Sequence, residues 1–369
     1  MRRQHALRYR ITPTSGDELA MATVWLILLA TMGLLLGGAS AQAPVRPQAH
    51  PFTVAFIGDT GGDPHDTPAL DTGFEKVLAL VKSEAAHLLA IAGDFSYQKR
   101  PEAARVYFAT IDRLLGADFP VLGADGNHDD WSQYQPFFQA RLERMGLPRT
   151  LIAGDEYGLH VGGIQWAVLG ERGNAPFVRT QFAGDDDAWR VCMWHKNMHD
   201  MQPGGKRDEM DWATYRACQD AGAIIATGHE HSYARTLTLT DLGTGAAGHG
   251  ATGTPDRLEV GPGRTFVFVS GLGGKSLREY KCDKHDDDTW WATVYTSNYY
   301  LKAGATVAKR CAKGSAKNAA VVKGYTYGAL FITFNAGGDP HKAEGYFKTI
   351  TGDTIDAFTI VKDQPIVQR

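Results

Sequence analysis

The sequence predicts a mixed α/β (α+β) protein, built as a four-layer α/β/β/α sandwich of two mixed sheets flanked by helices. Short apolar runs alternate with segments of helical periodicity between residues 52 and 145. This β-α-β-α-β order favours a parallel sheet with right-handed crossovers. After Thr236 the pattern changes to alternating stretches joined by Gly- and Asp-rich turns, which is typical of antiparallel hairpins.

In the first half, the predicted strands cover residues 52–57, 88–92 and 119–122, and the predicted helices cover residues 71–86, 101–115 and 131–145. Further strands are expected near residues 156–162, 164–169, 190–194 and 223–227, with a helix at 208–221. The second half adds strands at 236–240, 265–269, 326–335 and within 343–361. Residues 241–264 and 281–322 are predicted to be long loops.

Composition and charge are those of an ordinary globular protein. The chain has 369 residues, of which 43% are hydrophobic and 21% charged. Its formal net charge of -3 provides no basic face, so we expect no nucleic-acid partner. We find no internal repeat and no domain boundary after residue 52, and therefore predict a single domain over residues 52–369. Nothing in the sequence indicates an oligomeric state.

Residues 1–41 have the organisation of a secretory signal peptide. Four arginines lie among the first ten residues, an apolar run covers residues 21–38, and small residues follow at Ala39, Ala41 and Ala43. We predict cleavage after Ala41 or Ala43, a proline-rich linker over residues 42–51, and a secreted or periplasmic protein. An uncleaved membrane anchor is the alternative, although a span needs ~20 apolar residues. A start at Met21 would remove the arginines.

The four cysteines gain a structural meaning if the protein is exported. In an oxidising compartment they can form two disulfides. Sequential pairing, Cys192–Cys218 and Cys282–Cys311, would close two local loops. The alternative is four free thiols with Cys192 buried in a strand, and the spacing does not fix the pairing.

Side chains of metal-ligand type follow several predicted strands. Because ligands gather at the carboxyl ends of parallel strands, these side chains should share one edge. They are Asp59, Asp94, Tyr97, Asn127, His195, His229 and His231. A structural zinc takes four ligands, so seven mixed oxygen and nitrogen donors suit two metals that share a bridging carboxylate. Each residue alone is more often a turn, a cap or a satisfied core histidine. Their repetition at strand ends favours a metal site.

The motifs around these residues resemble the calcineurin-like metallophosphoesterases. The motifs are Gly58-Asp59-x-Gly61, Gly93-Asp94-x-x-Tyr97, Gly126-Asn127-His128-Asp129, an apolar strand into His195, and Gly228-His229-x-His231. Tyr97 and the segment His231-Ser-Tyr233-x-Arg235 are similar to the purple acid phosphatase branch. The resemblance runs from about residue 53 to the C-terminus and implies that residues 52–369 are a catalytic domain.

The resemblance also implies roles for individual residues. The first metal would be held by Asp59, Asp94, Tyr97 and His231. The second would be held by Asp94, Asn127, His195 and His229, with Asp94 as the bridge. A ferric ion bound to a Tyr97 phenolate would pair with divalent iron, zinc or manganese. His128 would act as general acid or as a donor to the phosphoryl oxygens, and Asp129 could orient it.

The predicted function is a secreted binuclear phosphoesterase, similar to acid phosphatases, in which a metal-bound hydroxide attacks a small phosphomonoester. Candidate contacts to the substrate phosphate are His199, Gln202, Lys206 and Arg235, although Lys206 and Arg235 equally fit a solvated polar loop. One alternative is a phosphodiesterase or nucleotide hydrolase on the same metals. Another is a secreted protein that binds metal or phosphate without turnover. Asp129 and Ala234 stand where the family usually has Glu, and residues 196–200 also depart from its pattern, which leaves the substrate open.

Overall fold

The computed structural model describes residues 49–61, 73–98, 100–147, 152, 154–184, 188–301 and 325–363. The predicted signal peptide, residues 42–48 of the predicted linker, and Cys311 lie outside these ranges. Within them, none of the helices combines the length and the apolar character that crossing a membrane requires.

The strands of the described residues form two sheets. In chain order they are β1 (Phe52–Ile57), β2 (Leu88–Ile91), β3 (Val121–Gly123), β4 (Tyr157–Val161), β5 (Ile164–Val168), β6 (Trp189–Met193), β7 (Ile224–Thr227), β8 (Tyr233–Thr236), β9 (Arg257–Val260), β10 (Val267–Ser270), β11 (Trp291–Tyr295), β12 (Tyr300–Leu301), β13 (Gly328–Phe334), β14 (Lys342–Thr349) and β15 (Thr354–Lys362).

Both sheets are mixed, as the sequence predicts. The first has the order β3-β2-β1-β13-β14-β15-β9, in which β3, β2 and β1 are parallel and β13, β14 and β15 are antiparallel. The second has the order β12-β11-β8-β10-β7-β6-β5-β4, in which β10, β7, β6 and β5 are parallel. Each sheet therefore contains a run of parallel strands whose carboxyl ends can present ligands.

Aromatic side chains join the two sheets face to face. Phe56 of β1 meets Phe268 of β10 edge-on at 5.1 Å between ring centroids, and Tyr233 of β8 stacks on Phe347 of β14 at 4.1 Å. These residues belong to one buried cluster that also contains apolar residues from both sheets. Burial of this layer is the main hydrophobic contribution to the fold.

Helices cover the outer faces of the sheets. They are α1 (Gly73–Ser83), α2 (Ala103–Leu115), α3 (Trp131–Arg144), α4 (Ala175–Gln181), α5 (Trp212–Asp220) and the short α6 (Cys282–His285). The first three lie against the first sheet, and α4 and α5 lie against the second. The predicted four-layer fold class is therefore confirmed.

A disulfide joins the second sheet to its outer helix. Cys192 of β6 is bonded to Cys218 of α5, as the sequential pairing predicts. Cys282 is also disulfide-bonded. The predicted pairing with Cys311 lies outside the described residues.

Several predicted boundaries differ from the structure. The helix expected from residue 208 begins at Trp212, because the Asp211 carboxylate caps it by accepting a hydrogen bond from the Thr214 amide at 2.7 Å. The predicted loop 241–264 contains β9, and the predicted loop 281–322 contains α6, β11 and β12. The second half is not wholly antiparallel either, because β9 pairs in parallel with β15 and β10 pairs in parallel with β7.

Candidate metal centre

The parallel strands of both sheets end at one shared edge. After β1 and β2, the Asp59 amide donates to the Gly93 carbonyl at 3.1 Å. After β6 and β7, the Gly228 amide donates to the His195 carbonyl at 3.2 Å. The loop after β10 joins the two sets, because the Gly273 amide donates to the Gly58 carbonyl at 2.9 Å. The predicted ligands of both sheets therefore face a common space.

Backbone strain is concentrated at this edge. Asp59, Asp94, Tyr97 and His229 have φ angles of 53°, 55°, 61° and 69°, in the left-handed region that non-glycine residues rarely adopt. Each such residue costs on the order of 1–3 kcal/mol and persists only where its surroundings hold it. Four of the seven predicted ligands adopt this conformation, and such strained residues cluster at functional sites.

One group of donors consists of Asp59, Tyr97 and His231. The Tyr97 hydroxyl donates to Asp59 Oδ1 at 3.0 Å and lies 3.1 Å from His231 Nε2. His231 Nε2 lies 3.2 Å from the same Asp59 oxygen. All three side chains converge on a single point, as ligands of one ion would.

A second group consists of Asp94, His195 and His229. Asn127 follows β3, and the amide of the next residue, His128, contacts Asp94 Oδ1. Ligand atoms of the first three lie within 4.8 Å of one another. His195 Nε2 lies 3.2 Å from Asp94 Oδ1 and 3.0 Å from His229 Nδ1. His195 Nδ1 donates to the Ala92 carbonyl at 2.7 Å, so Nε2 is the ring nitrogen that would bind a cation in place of its proton.

The Asp94 carboxyl connects the two groups. The Tyr97 hydroxyl of the first group helps to lower the pKa of this carboxyl, and Asp94 Oδ1 contacts His195 of the second group. The same oxygen accepts a hydrogen bond from the His128 amide at 3.0 Å. A carboxylate in this position has two oxygens that can serve two cations at once.

The electrostatics of the site favour an ionised Asp94 carboxylate next to a protonated His195. Burial raises the pKa of Asp94, but the charge of His195 and the hydrogen bond to it outweigh burial and hold the pKa well below its usual range. Burial lowers the pKa of His195, yet Asp94 outweighs this effect and raises it to about 9. Burial, followed by the charges of Asp59 and Asp94, raises the pKa of the Tyr97 phenol far above its usual value. Tyr97 therefore keeps its proton unless a cation compensates the charge.

The donor set fits a pair of cations. Asp59 Oδ2 and Asn127 Oδ1 are buried and accept no hydrogen bond from any described residue. A buried acceptor without a partner is costly, and a bound cation is one of its ordinary explanations. The mixture of imidazole, carboxylate, amide and phenol donors suits iron, zinc or manganese.

Two residues that support the histidine ligands were missed by the sequence reasoning. His229 Nε2 lies 2.7 Å from Glu209 Oε2, and His231 Nδ1 lies 2.5 Å from the Ser276 hydroxyl. Such contacts fix the ring orientation of a metal-ligating histidine. Glu209 follows a loop and Ser276 lies beyond β10, so no local pattern in the sequence marks either one.

The structure separates the predicted roles of His128 and Asp129. The His128 ring is exposed and packs at 4.7 Å from the Tyr97 ring, at the rim of the site. The Asp129 carboxylate accepts hydrogen bonds from the amides of Asp94 at 2.9 Å, Phe95 at 2.8 Å and Gly126 at 3.1 Å. No described hydrogen bond joins it to the His128 side chain. The predicted orienting role of Asp129 is therefore corrected: this residue clamps the loop that carries Asp94.

Of the predicted substrate contacts, Lys206 lies nearest to the metal centre. Its amine is 2.9 Å from His229 Nε2. His199 Nδ1 donates a hydrogen bond to the Lys206 carbonyl at 2.8 Å, and Gln202 Nε2 donates to the same carbonyl at 3.1 Å. His199 and Gln202 thus hold the loop that carries Lys206 and are engaged with its backbone.

The prediction that Arg235 contacts the substrate phosphate is wrong. Arg235 is fully buried in β8, where its guanidinium donates to both carboxylate oxygens of Asp356 at 2.7 and 3.0 Å. Asp356 also accepts a hydrogen bond from the Tyr233 hydroxyl at 2.7 Å. Besides Lys206, Arg278 is a cation in contact with the His229–His231 loop, and its Nη1 donates to the His229 carbonyl at 3.1 Å.

Known phosphoesterases resemble this chain in sequence or in fold. The family model described as calcineurin-like phosphoesterase matches residues 52–233. Among solved structures, the chain is similar to purple acid phosphatase PPD1 from yellow lupin (Lupinus luteus), with a TM-score of 0.59 and 16% identity over 86% of this chain. At that identity, the similarity concerns the fold. The chain spans 55% of the length of the lupin protein.

Two more distant structures also align. PhoD aligns with a TM-score of 0.46 and 10% identity, over 86% of this chain and 75% of PhoD. A dimetal phosphatase from Danio rerio aligns with a TM-score of 0.41 and 10% identity, over 84% of this chain and 98% of the other. No curated protein matches the sequence.

Proposed function

The chain belongs to the calcineurin-like phosphoesterase superfamily, and on that premise we propose that it is a secreted, binuclear-metal phosphomonoesterase similar to acid phosphatases. One observation carries the proposal: the Asp94 carboxyl contacts both groups of donors, with His195 at 3.2 Å on one side and Tyr97 on the other. A shared carboxylate between two donor groups suits two cations, which is the arrangement used for in-line displacement at phosphorus.

Seven residues would hold the two ions. The first would be bound by Asp59, Asp94, Tyr97 and His231, and the second by Asp94, Asn127, His195 and His229. When bound, the two cations would acidify water and neutralise negative charge on the phosphoryl oxygens. We propose Fe(III) at the first position, because the Tyr97 motif resembles that of purple acid phosphatases and implies a phenolate ligand. A phenolate next to the Asp59 carboxylate would need a highly charged ion to compensate the two negative charges.

The chain's own side chains would complete the reaction. His128 is exposed at the rim beside Tyr97, so its imidazole can reach the leaving group and donate a proton to the departing oxygen. Its backbone amide holds Asp94 Oδ1 in place. Asp129 fixes the Asp94 loop through three backbone amides and so keeps the shared carboxylate in position.

The activity is tested with 4-nitrophenyl phosphate and bis(4-nitrophenyl) phosphate as matched monoester and diester. We expect metal-loaded protein to have the higher kcat/KM on the monoester. A preference for the diester would contradict the monoesterase proposal and favour the phosphodiesterase alternative. Bound metals without turnover of either ester would favour a non-catalytic binding protein.

The metal proposal is tested by elemental analysis together with a visible absorption spectrum. We expect iron and a violet colour from a Tyr97 phenolate, and loss of that colour in Tyr97→Phe. Colourless protein that contains only zinc or manganese would contradict the iron proposal.

We also propose that residues 1–41 direct export. The mature protein should then begin at Gln42 or Pro44, which N-terminal sequencing of protein from the native host would determine. Membrane-associated protein that retains residues 1–41 would favour the anchor alternative.

A further inference from the structure

A polar cleft lies next to the metal centre, on the side of His229. Its volume is about 420 Å³, within the range of small-molecule sites, ~300–1,000 Å³. The lining residues are Gly205, Lys206, Glu230, Arg278, Glu279 and Lys281. Lys206 Nζ, at 2.9 Å from His229 Nε2, marks the boundary between the cleft and the metal centre.

The walls of the cleft are fixed to each other. The Lys281 amide donates to the Pro203 carbonyl at 3.1 Å, and His285 Nε2 donates to the Gly204 carbonyl at 2.7 Å. A Cβ at Gly204 would lie only 2.3 Å from the Glu230 carboxyl, so glycine is what allows the loop to approach so closely. The site is thus preformed, which lowers the entropic cost of binding a ligand.

Arg278 is anchored so that part of its guanidinium stays available. Its Nη1 donates to the His229 carbonyl at 3.1 Å and lies 3.3 Å from Glu230 Oε2. The Glu230 side chain is 2% exposed, whereas the Arg278 side chain is 39% exposed. Among the described residues, every contact of this guanidinium uses Nη1, and the remaining N–H donors can bind an anion.

The residues that line the cleft carry an excess of positive charge. Three cationic side chains face two carboxylates. Glu279 pairs with Lys281 at 3.1 Å on the exposed side, and Glu230 contacts Arg278. Lys206 has no carboxylate among its described hydrogen bonds and ion pairs, so its amine can donate to a bound anion.

We propose, on the basis of the proposed function, that this cleft binds a second anionic group of the substrate. The substrate class is then a phosphate ester or anhydride whose leaving group carries a further phosphate or a carboxylate. The phosphoryl group that reacts would lie at the metals, and the second anion would lie between Lys206 and Arg278. Guanidinium and ammonium groups suit such oxyanions because their hydrogen bonds to them are charge-assisted.

The test compares phenyl phosphate with 3-carboxyphenyl phosphate, which differ by one negative charge on the leaving group. We expect the wild-type protein to have the higher kcat/KM on the carboxylated ester. Arg278→Gln should reduce kcat/KM on that ester about tenfold more than on phenyl phosphate, as loss of a charged hydrogen bond would. Lys281→Gln should give a selective loss in the same direction, and it leaves no buried carboxylate unpaired if Arg278→Gln does not fold.

Arg207→Gln is the matched control, because Arg207 is an exposed neighbour that does not line the cleft. It should leave the ratio of the two substrates unchanged. Equal losses on both substrates in Arg278→Gln and Lys281→Gln would overturn the inference, because the cations would then serve the reacting phosphoryl group itself. A wild-type protein that hydrolyses both esters equally would also overturn it. Metal-loaded protein that hydrolyses neither ester would instead contradict the proposed function.

Discussion

Arg235→Met gives the sharpest test of how the structure divides its cations between stability and binding. Arg235 and Asp356 are both fully buried, and two hydrogen bonds join them. Removal of one partner leaves the other charge buried and uncompensated. Asp356 would keep only the Tyr233 hydroxyl as a described side-chain donor.

The expected cost follows from this geometry. Breaking a buried ion pair typically lowers the free energy of unfolding by ~3–5 kcal/mol. For a domain of this size, we expect the melting temperature to fall by roughly 5–10 °C. Arg257→Met should change it little, because the Arg257 side chain is 55% exposed and its contact to Glu259 is 4.0 Å long.

The assay is thermal unfolding of both variants under the same metal conditions, followed by circular dichroism, together with KM for a phosphate ester below the transition. The double variant Arg235→Met with Asp356→Leu should recover part of the lost stability, because no buried charge is then left unpaired. An Arg235→Met variant with unchanged melting temperature and a raised KM would refute this assignment. It would show that Arg235 serves the substrate.

Three further predictions concern the site and its support. His128→Ala should retain both metals by elemental analysis and lower kcat by ~10²–10⁴-fold. Loss of the metals would contradict the role of His128 as a proton donor. Glu209→Gln should weaken metal binding by ~10–100-fold in chelator competition, because His229 loses the carboxylate that orients its ring. Unchanged metal affinity would contradict that role of Glu209. The double variant Cys192→Ala with Cys218→Ala should lower the free energy of unfolding by about 3 kcal/mol in urea titration. An unchanged urea midpoint of unfolding would argue against a stabilising disulfide.

The sequence predicted the features that are encoded locally. Each group of ligands stands within a few residues of a strand end, beside glycines that mark the turn, so the pattern around Asp59, Asp94 and His229 is visible without coordinates. The parallel order of β1, β2 and β3 also follows from local periodicity. The site therefore assembles from short segments whose positions the strand order determines.

What the sequence could not reveal depends on contacts between distant segments. The partner of Arg235 lies 121 residues away, so its motif resembled a binding site although its side chain is structural. Strand β9 lies in a Gly-rich stretch whose sequence is typical of a loop. It forms because it pairs with β15, about 100 residues later. Glu209 and Arg278 reach the histidines from separate loops, and neither has a pattern of its own.

A crystal structure of the purified protein with anomalous scattering at the absorption edges of its metals tests the central claim most directly. We predict two peaks ~3.5–4 Å apart. Both should lie at coordination distance from Asp94, one beside Asp59, Tyr97 and His231 and the other beside His195 and His229. A single peak next to His195, with none beside Asp59, would contradict the shared carboxylate and the two-metal chemistry.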